Sequence, residues 1–288
     1  MPPRRPPRSP LGVACLALGL LLAACTGPDQ SNDFARWDAD LRAAGKLRAD
    51  RAPIDAPFTE ADLVQNFAKI GFGSEFEIVG GRYVPLVQDR GAPLTRWNAP
   101  IRYALFGSPT AEDAVQVRDF AARLTGATGL EIEPDRGEPN LLVFFLDADG
   151  RRRVSRHFTA EEEYRPLSDL YNAWVQDPKW PCAAEFYYHP PGTENAYAIY
   201  FAVVYIRDEV SGLSRRSCIE EEMAQTLGLA RDDPTLRPSI FNDDEEFALM
   251  TDHDAALLSL LYDRRLRPGM TAEEAMPVLD RIAPDLVR

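Results

Sequence analysis

Cys218-Ile-Glu-Glu-Glu-Met-Ala-Gln-Thr-Leu-Gly-Leu-Ala-Arg-Asp232 is the stretch on which the reading of this chain turns. As a helix it places Ile219, Met223 and Leu227 on one apolar face. The opposite side presents Glu221 and Gln225, four apart and therefore stacked, with Glu222 about 100° round from Glu221. Gly228 then lets the chain turn away. Just upstream lies the run Tyr197-Ala-Ile-Tyr-Phe-Ala-Val-Val-Tyr-Ile206. Its β-branched and aromatic content, and its brevity, make it a strand rather than a membrane span.

Working outward, Ile101–Phe106 alternates as a half-buried strand, Leu130–Glu133 is a short strand and Leu141–Leu146 a central one. Ser108-Pro109 offers a cap and first-turn proline to a long helix. Its stripe is Val115, Phe120, Ala121 and Leu124, and Gly126 is its stop. Short helices are predicted over Leu167–Val175 and Phe58–Ile70, the latter capped by Thr59 with Asp62 and stapled by Phe58 on Leu63. A closing helix over Asp252–Tyr262 buries Ala255, Leu258, Leu261 and Tyr262. The order predicts an α/β or α+β domain with one principal mixed sheet, a long first helix and a C-terminal helix. Arg151–Arg153 and Glu161–Glu163 read as compensating charge runs in a solvated hairpin or helix entry. Trp174, Trp180, Tyr187 and Tyr188 surround loops near Cys182, as packing around a disulfide or as a carbohydrate-binding surface.

The beginning of the chain carries Arg4, Arg5 and Arg8, then the apolar stretch Leu11–Ala24. A basic head before a short apolar segment is the pattern of an export signal. A helix of that length spans roughly 21 Å, too short for a hydrocarbon core of about 30 Å. Leu22-Ala23-Ala24-Cys25 resembles the lipobox of bacterial lipoproteins. The resemblance implies cleavage before Cys25, acylation of its sulfur (palmitate and its like) and a soft tether, TGPDQSND. Thr26, where an inner-membrane retention signal would carry Asp, points to the outer membrane, with the domain facing the periplasm. The domain reading is a signal peptide over 1–24, a flexible tether over 25–54, an N-terminal helical extension over 55–95 and the main domain over 96–288.

The whole chain has 32 basic and 45 acidic residues. Losing the three leader arginines leaves 29 against 45, a net charge of about −16. Such a surface repels nucleic acid and anionic headgroups, which excludes the first as a partner and leaves the acyl group to hold the membrane. Cys15 leaves with the leader and Cys25 takes lipid, so Cys182 and Cys218 remain for a disulfide, with a pair of thiolate metal ligands as the alternative.

The domain from about Trp97 to Tyr262 resembles the metzincin zinc peptidases, whose helix reads HExxHxxGxxH. Aligned on Gly228, the general-base glutamate falls on Glu222, while the three ligand histidines fall on Glu221, Gln225 and Arg231. Pro238-Ser-Ile-Phe-Asn242 resembles the Met-turn, with Phe241 in place of the methionine, and Asp254, Leu258, Leu261 and Tyr262 match the closing helix. The chain also resembles an uncharacterised bacterial lipoprotein family, a domain of unknown function, whose helix reads C-x-x-E-E-x-x-Q-x-L-G-L, followed by FNDDxEFxLxTxHD. This second likeness covers roughly residues 97–270.

Zinc chemistry needs about three N, S or carboxylate donors and a carboxylate base. Gln225 offers a neutral amide and Arg231 repels a cation, so the resemblance implies a degenerate site with no resident zinc. Glu221, Gln225 and Arg231 are expected to form an ion-pair and amide network in its place. His157, His189 and His253 are never four apart. Glu221, Glu222, Asp232, Asp243 and Asp244 are the acids expected near the helix end. Asp243 and Asp244, with His253, are the candidate site for calcium or another hard divalent cation.

The function expected is that of a cell-envelope lipoprotein, a non-catalytic binding or structural domain on a metallopeptidase-like scaffold. Its partner would be an envelope protein, a peptide or peptidoglycan. The alternative is a metal-dependent or carboxylate-based hydrolase using Glu222. The lipid anchor is tested by Cys25→Ser, which should abolish acyl labelling and release the protein from membranes; unchanged labelling would refute it.

Overall fold

The computed structural model describes residues 30–73, 76–79, 82–85, 91–160, 168–242 and 244–287. Residues 1–24, read as a leader, together with Cys25, Glu161–Glu163 and Asp243, lie outside them. Among the described residues no helix is long and apolar enough to cross a membrane.

The fold is mixed α+β, built on a largely parallel sheet. β3 (Arg96–Trp97), β4 (Ile101–Gly107), β5 (Ile132–Pro134), β6 (Leu141–Leu146) and β8 (Ala198–Arg207) run in the order β3-β8-β6-β4-β5. All of these pairings are parallel. β6 and β8 lie at the centre and are covered on both faces, which is why they read as continuous apolar runs. β7 (Cys182–Tyr188) runs antiparallel to β8. Tyr187 and Tyr188, read as bordering loops near Cys182, are therefore strand residues.

α3 (Ala111–Thr128) crosses from β4 to β5. Its cap is Thr110, in a reciprocal box with Asp113, and not Ser108; it runs through Gly126 and stops at Gly129, whose φ is +73°. A hydroxyl with a carboxylate three residues on satisfies two end N–H groups, which a Ser-Pro start does not. On the other face lie α4 (Ala148–Ala160) and α5 (Ser168–Gln176). Arg151, read as part of a solvated run, is buried in α4. Its guanidinium donates to Glu209 at 2.7 and 2.8 Å and to the Leu146 carbonyl at 2.8 Å. Trp174 stacks on Tyr205 at 5.6 Å, and beneath it the buried Arg207 donates to the carbonyls of Trp174, Asp177 and Trp180. Burial depresses Arg207 to about 10.

α1 (Gln30–Ala43), α2 (Glu60–Ile70) and a hairpin of β1 (Phe76–Val79) and β2 (Arg82–Pro85) precede the sheet. α2 has the expected Thr59–Asp62 box. It packs on α7 (Asp252–Leu261) and on α8 (Ala272–Leu286), a final helix that the sequence hides behind Pro277 and Pro284. Within the stretch expected as tether, Leu47 and Arg48 donate backbone N–H groups to Glu245 and Glu246.

One ion pair joins α3 to α6 (Gly212–Gln225). Arg215 grips Asp113 in a fork of 2.7 and 2.9 Å, with Asp113 only 2% exposed. Burial pushes the Asp113 carboxyl up, but Arg215 and the Thr110 bonds outweigh it and hold it below its ordinary 3.8. The stabilisation is thus present above that value and is lost as pH falls through the lowered one. Arg215→Met leaves a buried carboxylate alone and should lower the unfolding free energy by about 3–5 kcal/mol near neutral pH. The deficit should shrink in acid as Asp113 protonates; one that is independent of pH in chemical denaturation would exclude the pair as its source.

Candidate functional site

α6 carries Cys218, Ile219, Glu222 and Met223 on its buried side. Three sets of contacts hold it against the sheet edge. Cys218 forms a disulfide with Cys182 of β7, with Cα atoms 5.7 Å apart. A cross-link over that sequence separation of 36 stabilises by roughly 4 kcal/mol on the chain-entropy model.

The second set closes the end of the helix. Trp97 Nε1 donates to the Thr226 carbonyl at 2.8 Å. The Tyr262 hydroxyl donates to the Leu227 carbonyl at 2.7 Å and accepts the Trp97 N–H at 3.1 Å. Burial raises the Tyr262 phenol above its ordinary value, so it stays a donor. Gly228 then takes φ +115°, and a Cβ there would sit 2.2 Å from the Thr95 carbonyl oxygen. The glycine of the motif is thus required by backbone approach.

The third set uses carboxylates as ties. Glu220, 2% exposed, accepts from Arg51 at 2.6 and 2.7 Å, the Met250 N–H at 3.0 Å and Arg216 at 3.2 Å. Asp254 is fully buried and accepts from Ser239 Oγ at 2.5 Å, Thr251 N–H and Oγ1 at 2.8 Å, and Ile240 N–H at 3.2 Å. It locks the Pro238–Asn242 segment to the start of α7.

Between α6 and β7 lies a cleft of about 710 Å³. All of β7 lines it, residues of both strand faces alike, as a strand does when it presents its edge. The Arg207 N–H donates to the Pro181 carbonyl at 3.0 Å, which sets the phase of the β7–β8 ladder. By alternation Cys182, Ala184 and Phe186 turn their N–H and C=O groups away from β8. Among the described residues no other strand pairs with that edge. Tyr188 and Tyr200, 44% and 48% exposed, stand at the cleft mouth, and Tyr188 stacks on Tyr197 at 6.0 Å.

Glu221, Glu222, Gln225 and Asp232 come together in this cleft. Gln225 Nε2 donates to both Asp232 oxygens, at 3.0 and 3.1 Å. Arg231 does not line the cleft, and among the described residues it has no ion-pair partner, so the expected network with Glu221 is not formed. Phe241 is fully buried in the core. Asp244 belongs to a loop, where its carboxylate accepts the Glu246 N–H at 2.8 Å. His253 is buried elsewhere, edge-on to Phe58 at 4.9 Å with Nε2 3.1 Å from Asn66 Nδ2. Among the described residues no three His, Cys, Asp or Glu side chains are grouped to hold a metal. Sequence reasoning missed Glu185, Tyr197, Tyr200 and Glu245 as lining residues, and no local pattern in Cys182–Tyr188 marks the first of them.

A family profile described as "Protein of unknown function (DUF2927)" matches residues 60–281, from the start of α2 into α8. No curated protein matches the chain.

Gly228→Ala should destabilise the protein by well over about 1 kcal/mol, since it adds φ strain to a backbone clash. Thermal unfolding reads this directly, and an unchanged Tm would contradict the closure described.

Proposed function

The chain belongs to the DUF2927 family, and from the geometry of its cleft we propose that it is a lipid-anchored, non-catalytic binding domain of the cell envelope. Its cleft receives an extended peptide, which adds as a strand to the edge of β7. The observation that carries this reading is the run of consecutive β7 residues along the cleft, with alternate backbone groups turned from β8. Main-chain bonds would supply affinity, and the pockets beside Tyr188 and Tyr200 would sort side chains.

The scaffold is read as metallopeptidase-like on four points: a helix directly after β8, Glu222 in the base position, Gly228 at the turn and Tyr262 on the closing helix. The donor set does not fit zinc. Gln225 offers only a neutral amide oxygen in place of an imidazole, and Arg231, in the third ligand position, does not line the cleft. Glu222 is left a carboxylate without a Lewis acid to activate water for it. A second reading, carboxylate-based hydrolysis by Glu222, draws on its lying beside Glu221 in the same cleft.

The test uses displayed random heptapeptides selected on the full chain in non-ionic detergent. Selected peptides should be recovered uncut and should lose roughly tenfold or more in affinity against Ala184→Pro. That variant removes an outward N–H while leaving the β8 ladder intact. Peptides insensitive to Ala184→Pro would overturn strand addition. Cleavage that disappears in Glu222→Gln would establish the second reading.

A further inference from the structure

We infer that the cleft is specific for an aromatic side chain near one terminus of its guest, seated against Tyr188, Tyr197 and Tyr200 where the β7 edge ends. This inference rests on the strand-addition reading above and adds the guest's side-chain chemistry. Cys182, Ala184, Phe186 and Tyr188 alternate onto one side of β7. That side is small at the disulfide end and aromatic at the other, where the Phe186 and Tyr188 rings are 6.5 Å apart. Opposed side chains of neighbouring strands interact, and aromatic pairs are among those that stabilise a sheet. A guest lying along β7 therefore meets rings at one end only.

Two departures from regular backbone place the other rings there. Tyr197 and Ala198 both oppose His189, whose N–H donates to the Ala198 carbonyl and whose carbonyl accepts the Tyr197 N–H. The left-handed first residue of such a bulge is ordinarily glycine, yet Tyr197 takes φ +64°. Its ring stands 2.9 Å from where a Cβ on Gly269 would be, and it stacks on Tyr188 at 6.0 Å with 21° between planes. In the next turn of the ladder Tyr187 pairs with Phe201 and Tyr188 with Ile199, so Tyr200 is the extra residue of a second bulge. Its ring meets His189 at 4.8 Å and stays exposed. Bulges re-aim side chains, and strained backbone gathers at ligand clamps. Here both irregular residues carry rings and both line the cleft. A sugar also stacks on tyrosine, but Tyr188 is the last residue of β7, so the chain that pairs with that edge runs onto these rings.

The experiment uses unlabelled heptapeptides of alternating Ser and Thr with one Phe at the second, fourth or sixth position, and matching Leu peptides. Binding to the full chain in non-ionic detergent is read by isothermal titration calorimetry. Phe near one terminus should bind roughly fivefold more tightly than the matching Leu peptide and than Phe at the centre. Which terminus it is gives the direction of the added strand. Tyr188→Ser with Tyr200→Ser should remove this preference, while Phe106→Ser, at an exposed ring outside the cleft, should leave it within about twofold. Tyr197→Asn, which suits the left-handed backbone, should weaken the Phe peptide and spare the Leu peptide, with native circular dichroism. The same Phe gain at all three positions would refute the inference, since it would be a general apolar gain. So would a tetramer of N-acetylglucosamine that binds and is lost in the Tyr188/Tyr200 variant, because the rings would then hold a sugar. Equal affinity for Phe and Leu peptides, still sensitive to Ala184→Pro, would overturn aromatic selection and leave strand addition standing. Binding of none of the peptides would overturn both.

Discussion

A single phenol holds the working end of this molecule together. The Tyr262 hydroxyl, from the end of α7, takes the N–H of Trp97 and gives its proton to the carbonyl of Leu227. It thereby joins the end of the closing helix, β3 and the turn that follows α6 in one buried bridge. A helix end buried without partners for its carbonyls would be unstable. Here Trp97 and Tyr262 satisfy two of them, and Gly228 allows the backbone to pass against Thr95. With the Cys182–Cys218 bond at the other end of the cleft, α6 is held at a set distance from β7. The cleft exists because those two elements are fixed apart.

Much of this frame was legible in the residues. β6 and β8 are uninterrupted apolar runs, as central parallel strands must be, and the Thr59–Asp62 box marks α2. The Cys pair was readable by elimination and bonds as expected. The features that failed share one cause, namely that tertiary contacts override local signals. β7 has Glu, Ala and three aromatics beside Pro-rich flanks, and it becomes a strand because β8 templates it. α8 is broken on paper by two prolines, yet it packs its apolar side on α2. Arg151 looks solvated in a triple-Arg run, but Glu209 is far away in sequence and close in space.

The site shows the same division. The alignment on Gly228 picked out Glu221, Glu222 and Gln225, and all three line the cleft. It could not tell which acid of the Glu220–Glu222 run is structural. Glu220 is tied into the frame by Arg51, Arg216 and the Met250 N–H. Nor could spacing reveal that Gln225 would turn to Asp232, leaving Arg231 outside. The cleft thus has carboxylates of α6 on one wall and the edge of β7 on the other.

Residue-resolved amide exchange on β7, with and without a bound peptide, tests the central claim most directly. Ala183 and Glu185 face β8 and should be slow in both states, while Ala184 and Phe186 should be fast alone and slow once the guest pairs with them. Slowing confined to other elements, with Ala184 and Phe186 unchanged, would contradict the account.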